Sequence, residues 1–187
     1  AHVIGFTMNG ENNCSLNRWS KIYHIMLLLC LKGSYRSVLL LTQNTDNLHE
    51  WVGTQSRIHI HGELLNLRCK ESGIIYPVYE ETQPEDVCQC CGSSGNLRPD
   101  IVWFGELPKA MERIYTALEE CDLFISIGTS GSVYPAAGFV AIANECGALT
   151  VELNLEPSKV QSAFSHRIYG PASEVVPEFV ADILKQV

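Results

Sequence analysis

No stretch of this 187-residue chain approaches the roughly 20 consecutive apolar residues that a helix needs to cross a bilayer. The run Ile25 to Leu31 is far too short, so no membrane association is expected. Positive charge is scarce as well. Lys and Arg number 13 against 21 Asp and Glu, a net charge of −8, whereas a nucleic-acid surface needs a basic excess. The balance does not exclude docking of basic, lysine-containing peptides, though most acidic surfaces are merely solvated. Internal repeats and low-complexity tracts are missing, which argues against solenoids and disordered linkers. The first residues lack the ordered basic and apolar regions of a secretory leader. With Cys88, Cys90 and Cys91 clustered, the eight cysteines then point to a reducing compartment and metal binding in preference to disulfides. The expected location is cytoplasmic, or mitochondrial for a eukaryotic source.

What is present reads as one globular domain with a small insert: 46% hydrophobic and 18% charged residues. Residues 1–17 show no clear period, and Trp19 to Leu31 reads as an apolar helix. Regular patterning begins at Val38. Val38 to Leu41 and Asp122 to Ile127 are buried strands by composition, and Leu149 to Leu153 is the next. Lys109 to Glu120 carries Met111, Ile114, Tyr115 and Leu118 at helical spacing. Pro135 opens a helix that Gly147 ends. Val175 to Lys185 is a terminal helix with Val176, Phe179, Val180, Ile183 and Leu184 inward. Strands alternating with helices predict an α/β, Rossmann-like, mostly parallel sheet with helices on both faces.

Polar groups gather at the exits of these strands, where open α/β sheets build their sites. The first strand delivers Gln43, Asn44, Thr45 and Asp46. A short alternating segment, Arg57 to His61, ends in His61-Gly62. Gly128, Thr129 and Ser130 follow Ile127, a composition that lets backbone amides approach a phosphate and that equally makes a plain turn. Asn154, Leu155 and Glu156 follow the next strand, where an acidic group can accept from ribose hydroxyls or open a helix. An imidazole titrates near 6.5, which suits proton transfer at neutral pH. Alternation puts His59 and His61 on one side and cannot separate them. Gly62, which removes bulk beside His61, favours His61.

The Gln-Asn-x-Asp and His-Gly pair, then Gly-Thr-Ser with Val133-Tyr134-Pro135-Ala136, Asn-Leu-Glu-Pro and Tyr169-Gly170-Pro171-Ala172-Ser173, resemble the sirtuin family in this order, and its bacterial class III branch in particular. The resemblance covers residues 38–187. It implies an NAD-dependent protein-lysine deacylase, which moves an acyl group from lysine to ADP-ribose with release of nicotinamide. By match, Gln43, Asn44, Thr45 and Asp46 line the nicotinamide and ribose pocket. Gly128, Thr129 and Ser130 meet phosphates and ribose, Asn154, Leu155 and Glu156 the adenosine, and Ala172 the adenine. His61 becomes the proton acceptor. Val102, Trp103, Phe104, Gly105 and Glu106 resemble the family's substrate strand, which binds an extended acyl-lysine peptide edge-on; by composition alone Val102 to Phe104 reads as an ordinary strand.

Residues 67–98 form a Cys-, Gly- and Pro-containing insert. Cys88 and Cys91 have the Cys-x2-Cys spacing of a zinc knuckle, with Gly92 for its turn. The family uses two such pairs, but the residue three after Cys69 is Ser72. The expected structural zinc ligands are therefore Cys69, Cys88 and Cys91, with Cys90 or water as fourth. Cys14, Cys30, Cys121 and Cys146 read as buried thiols.

The family's Gly-Ala-Gly-Ile-Ser loop and Pro-Asp-Phe-Arg segment do not occur. Gly5 and Gly10 do not reproduce them, and Tyr23 and Arg18 do not match the branch's acyl-binding pair. The expectation is a truncated or mis-spliced sirtuin whose residues 1–37 are unmatched and whose first strand is absent. Two alternatives stand beside the deacylase. One is a catalytically impaired fragment that binds peptide or NAD, and the other is an ADP-ribosyl transferase using the same pocket.

Overall fold

Val38–Leu41 and Leu123–Ile127 are apolar at nearly every position, without alternation, and such runs are stable only when both faces are covered. In the computed structural model, which describes residues 2–7 and 35–185, they lie in the middle of a layered sheet. Its strands, numbered along the chain, are β1 (His2–Thr7), β2 (Ser37–Thr42), β3 (Arg57–His59), β7 (Leu123–Ile127), β8 (Leu149–Asn154) and β9 (His166–Tyr169). They pair in the order β3-β2-β1-β7-β8-β9, and every pairing is parallel. The chain reverses its direction of travel across the sheet between β1 and β7. Between β3 and β7, a small antiparallel sheet is inserted from β4 (Gly62–Cys69), β5 (Ile75–Pro77) and β6 (Leu97–Ile101), in the order β5-β4-β6.

Four α-helices complete the described chain: α1 (Leu48–Trp51), α2 (Met111–Glu120), α3 (Phe139–Glu145) and α4 (Ala172–Leu184). On one face of the sheet Ile4, Leu41 and Phe124 pack with Ile114 and Leu118 of α2 and with Phe139, Val140 and Ala143 of α3. On the other, Val3, Leu40, Ile125, Val151 and Leu153 pack with Val175, Val176 and Val180 of α4. Each fully buried aliphatic contributes about 1.5–3 kcal/mol of hydrophobic stabilisation. None of the described helices is long and apolar enough to cross a membrane.

Several expectations change on contact with the fold. The first strand is not absent: His2–Thr7 is β1, and it pairs with both β2 and β7 at the centre of the sheet. The Trp19 to Leu31 helix, the unmatched loop, and Tyr23 and Arg18 lie outside the described residues. The helix expected from Pro135 is a 3-10 turn at Ala136–Gly138 followed by α3. Tyr115 is exposed while Ile114 and Leu118 of the same helix are buried, so the inward stripe is narrower than its spacing suggested. Cys146, expected inside, is exposed, whereas Cys121 is buried; Cys14 and Cys30 are not described.

The turn joining β3 to β4 is held by one residue. Gly62 has φ +82°, and a Cβ there would meet the Asp100 carbonyl oxygen at 1.9 Å. An L side chain faces both a disfavoured backbone and a neighbouring strand that cannot yield. Gly62→Ala is expected to lower stability by about 2 kcal/mol or more, read as a lower urea midpoint at unchanged slope.

Candidate functional site

All six parallel strands end along one edge, and the polar groups singled out above collect there. Gln43 follows β2 directly and is buried; its Oε1 meets no partner among the described residues. Asn44, Thr45 and Asp46 are half-buried behind it. Three backbone amides tie the loop down. The Asn44 N–H donates to Thr42 Oγ1 at 3.1 Å, the Leu64 N–H to the Thr45 carbonyl at 2.9 Å, and the Leu48 N–H to Asp46 Oδ1 at 3.1 Å. Asp46 thereby satisfies an amide that α1 leaves unpaired at its start.

The two histidines that alternation could not separate are distinct in the fold. His59 closes β3, is buried, and lies between the Asn44 carbonyl oxygen and Glu50 Oε1, each 2.9 Å from a ring nitrogen. His61 sits in the turn beyond, half-buried. Its carbonyl accepts from the Val102 N–H at 2.9 Å. That bond draws the start of the 102–106 segment against the His61 turn.

Val102 to Glu106 is not a strand. β6 stops at Ile101, and the chain turns: the Glu106 N–H donates to the Trp103 carbonyl at 3.0 Å and the Trp103 N–H to Glu106 Oε2 at 3.0 Å. Arg98 clasps this turn, pairing with Glu106 at 2.8 Å while its guanidinium stacks 4.5 Å over the Trp103 ring. The Arg98 hydrogen bond, with the Trp103 amide, holds the Glu106 carboxyl down at about 2. Trp103 and Phe104 are left exposed beside Leu107. Behind the turn, buried Asp100 takes Arg68 at 2.8 Å on Oδ1 and Lys109 on Oδ2.

On the far side of β1, the exits of β7, β8 and β9 are stitched together. The Gly128 N–H donates to the Leu153 carbonyl at 3.0 Å, Asn154 Nδ2 to the Thr129 carbonyl at 2.7 Å, and the Gly170 N–H to the Asn154 carbonyl at 2.9 Å. Thr129 is buried, Gly128 and Asn154 half-buried, and Ser130, Leu155 and Glu156 exposed. Thr129 Oγ1 also accepts from the Gly131 N–H at 3.3 Å. Ala172, half-buried, is the first residue of α4. The two polar groups therefore flank β1 on one sheet edge.

At the outer end of the small sheet, Cys69, Cys88, Cys90 and Cys91 bring their sulfurs within 4.8 Å of one another. Zinc binds thiolates at about 2.3 Å, which places tetrahedral sulfurs roughly 3.8 Å apart. Cys69 Sγ and Cys91 Sγ are separated by 3.8 Å, and Cys88 Sγ and Cys90 Sγ by 3.2 Å, so the donor set fits one zinc ion. Gly92, at φ +71°, donates its N–H to the Cys88 carbonyl at 2.8 Å and closes the knuckle. Cys90, left open as the fourth ligand by spacing alone, joins the cluster. Ser72 supports it: its Oγ is 3.1 Å from Cys90 Sγ and its N–H donates to Cys69 Sγ at 3.4 Å. The Tyr76 hydroxyl, 3.4 Å away, pulls the Cys88 thiol down to about 6, toward the thiolate that a zinc ligand requires.

Sequence reasoning missed the Glu50–His59 pair and the Arg98 clasp. Both join residues of no shared period, so only the three-dimensional pairing exposes them.

The sequence model of the Sir2 family matches residues 6–135. Over 147 residues the chain is 59% identical to the NAD-dependent protein deacylase of Salmonella typhimurium, covering 79% of this chain and 54% of that protein. It thus spans about half the length of the curated relatives it matches. Among solved structures, a Sir2 homolog–NAD complex superposes with a TM-score of 0.76 at 32% identity, over 89% of this chain and 65% of that one. A mutant Sir2 homologue bound to ADP-ribose superposes with a TM-score of 0.82 at 24% identity, over 99% and 92%.

Purified chain is expected to carry about one zinc per molecule by elemental mass spectrometry, released by a strong chelator with loss of thermal stability. Cys90→Ala should lower that occupancy clearly, while Cys146→Ala should leave it unchanged.

Proposed function

Because the chain belongs to the Sir2 family, we propose that it acts as an NAD-dependent protein-lysine deacylase of the deacetylase or desuccinylase type, taking acyl-lysine peptides or proteins as substrate. The observation that carries this reading is the gathering of Gln43–Asp46 and His61 on one side of β1 and Gly128–Ser130 and Asn154 on the other, along a single edge of a parallel sheet. That is the crevice where open α/β sheets take dinucleotides.

The residues present suit NAD. Gln43 offers a buried, unpartnered acceptor to an incoming N–H or O–H donor. Asn44 and Asp46 stand beside it for the nicotinamide ribose. Gly128, Thr129 and Ser130 offer small side chains and hydroxyls to the phosphates, Asn154, Leu155 and Glu156 flank the adenosine, and Ala172 leaves room for adenine. NAD, consumed as co-substrate, supplies the ribose carbon that bonds the acyl oxygen as nicotinamide leaves.

His61, half-buried at the turn, accepts the proton of a ribose hydroxyl so that the acyl group can pass to the sugar. Val102 ties that turn to the 102–106 loop, whose exposed Trp103 and Phe104 flank the peptide. Backbone groups of Val102, Gly105 and Glu106 other than the Val102 and Glu106 amides, which the loop's own bonds engage, fix its register. Water completes the exchange, leaving free lysine and acyl-ADP-ribose. Cys69, Cys88, Cys90 and Cys91 would hold a structural zinc, which braces the small sheet. The acidic chain suits lysine-bearing partners, and a cytoplasmic location fits the free cysteines among the described residues.

Incubation of the chain with NAD and acetyl-lysine or succinyl-lysine peptides, followed by mass spectrometry, should show loss of the acyl mass and release of nicotinamide. His61→Ala should reduce the rate by about 10²-fold or more. Peptide binding without nicotinamide release would instead identify a binding module, and a mass gain on a protein acceptor an ADP-ribosyl transferase.

A further inference from the structure

His59 stands two residues before His61, yet it is the more fully connected of the two histidines. Its Nδ1 lies 2.9 Å from the Asn44 carbonyl oxygen and its Nε2 2.9 Å from Glu50 Oε1. Neither partner has a proton to give: one is a backbone carbonyl, the other a carboxylate. A neutral imidazole carries a single N–H, so only the doubly protonated ring can satisfy both contacts. We propose that His59 is a positioning residue, an imidazolium strut that ties the α1 carboxylate to the backbone of the Gln43–Asp46 loop and fixes that loop's geometry for the dinucleotide. The inference rests on the reading of this loop as part of the NAD pocket.

The surroundings favour the charged ring. Burial alone would lower the His59 pKa, but the hydrogen bonds to Glu50 and Asn44 and the charges of Glu50 and Glu63 outweigh it, and the pKa is raised. Burial works against ionisation of Glu50 too. There the bonds from His59 and from its own backbone amide, with the Arg57 charge, win and hold the carboxyl at about 2. Arg57 pairs with the same Glu50 oxygen from β3. Glu63 of β4 brings a second carboxylate within 4.8 Å. His49 of α1 meets the His59 ring edge-on with centroids 6.3 Å apart, and burial followed by the nearby His59 charge pushes its own pKa down to about 4. Asp46, on the loop itself, and Glu50 act in the opposite direction on His49 without reversing the shift. His49 is thereby held neutral, while the raised pKa of His59 agrees with the two acceptors that face its ring, one positive charge between two carboxylates and beside Arg57.

The sign follows from the raised value. A group whose folded pKa exceeds its ordinary 6.5 contributes fully below 6.5, and its contribution is lost as pH climbs through the folded value. Glu50 contributes above its ordinary carboxyl range and is lost only near about 2. The strut is intact from mildly acidic pH to the point where His59 releases its proton.

Isotope-labelled full chain gives a direct test by NMR, with calorimetric NAD affinity beside it. Both His59 ring nitrogens should be protonated at neutral pH. The Thr45 amide, which shares its peptide group with the Asn44 carbonyl, should shift with the same midpoint as the ring. Glu50→Gln should bring that midpoint down, and His59→Gln should abolish the Thr45 titration while the chain stays folded. NAD affinity of the native chain and of His61→Ala should weaken roughly tenfold on the alkaline side of the transition, the scale of one charge-assisted hydrogen bond. In His59→Gln it should be flat with pH. A singly protonated ring at neutral pH, a Thr45 amide that ignores it, or an unchanged pH dependence in His59→Gln would overturn the strut. An absence of NAD binding at every pH, with Thr45 still following His59, would leave the strut standing and overturn the cofactor reading instead.

Discussion

Six strands that all run the same way must bring their carboxyl ends to one edge, and there the backbone can no longer pair with a neighbouring strand. That register determines what can meet. It sets the exit of β2 beside the exit of β3, and the exits of β7, β8 and β9 beside one another, with β1 between the two groups. Residues more than 100 positions apart in sequence share one rim because the ladder between them is parallel and continuous. Removal of β1 would break the sheet in two and separate the halves of the crevice.

Within that frame, single-residue geometry assigns the tasks. The last position of β3 places His59 inside, between a helix carboxylate and a loop carbonyl. Two residues on, the turn leaves His61 half-buried, its carbonyl bonded to the Val102 N–H. The same ring at two adjacent alternating positions is charged and held in one case and accessible in the other. Gly62 permits this change of environment by letting β4 start against the Asp100 carbonyl.

Much of this was legible in the chain. Val38 to Leu41 and Asp122 to Ile127 declared a buried parallel sheet, and helix periodicity found α2 and α4. The ordered motifs by themselves point to the family. What was not legible has physical reasons. β1 carries Gly5 and His2 and was hidden because its neighbours in sequence match nothing familiar, while its neighbours in space, β2 and β7, lie far along the chain. Val102 to Phe104 has the composition of a strand, but Arg98 and Glu106 fold it into a turn through contacts that no local period records. Spacing left Cys90 and water open as the fourth ligand, because Cys90 falls outside the two-residue spacing of a knuckle; in the fold its sulfur joins the cluster, with the Ser72 Oγ 3.1 Å away. Tyr115 has the right spacing for the core but lies at the margin of the buried stripe.

Asp100 has a further consequence. This carboxylate is sealed from solvent, gripped by Arg68 of β4 on one oxygen and by Lys109 ahead of α2 on the other, while its own carbonyl abuts Gly62. Three segments are thus pinned at one point: the strand leading to the cysteines, the approach to the main-sheet helix, and the corner that carries His61. A pin of that kind acts like the axle of a clamp, allowing the jaws to be shaped but not to drift. The strand that leads to the cysteines and the turn that carries His61 are therefore fastened through a single buried side chain, so loss of that one carboxylate would loosen both together.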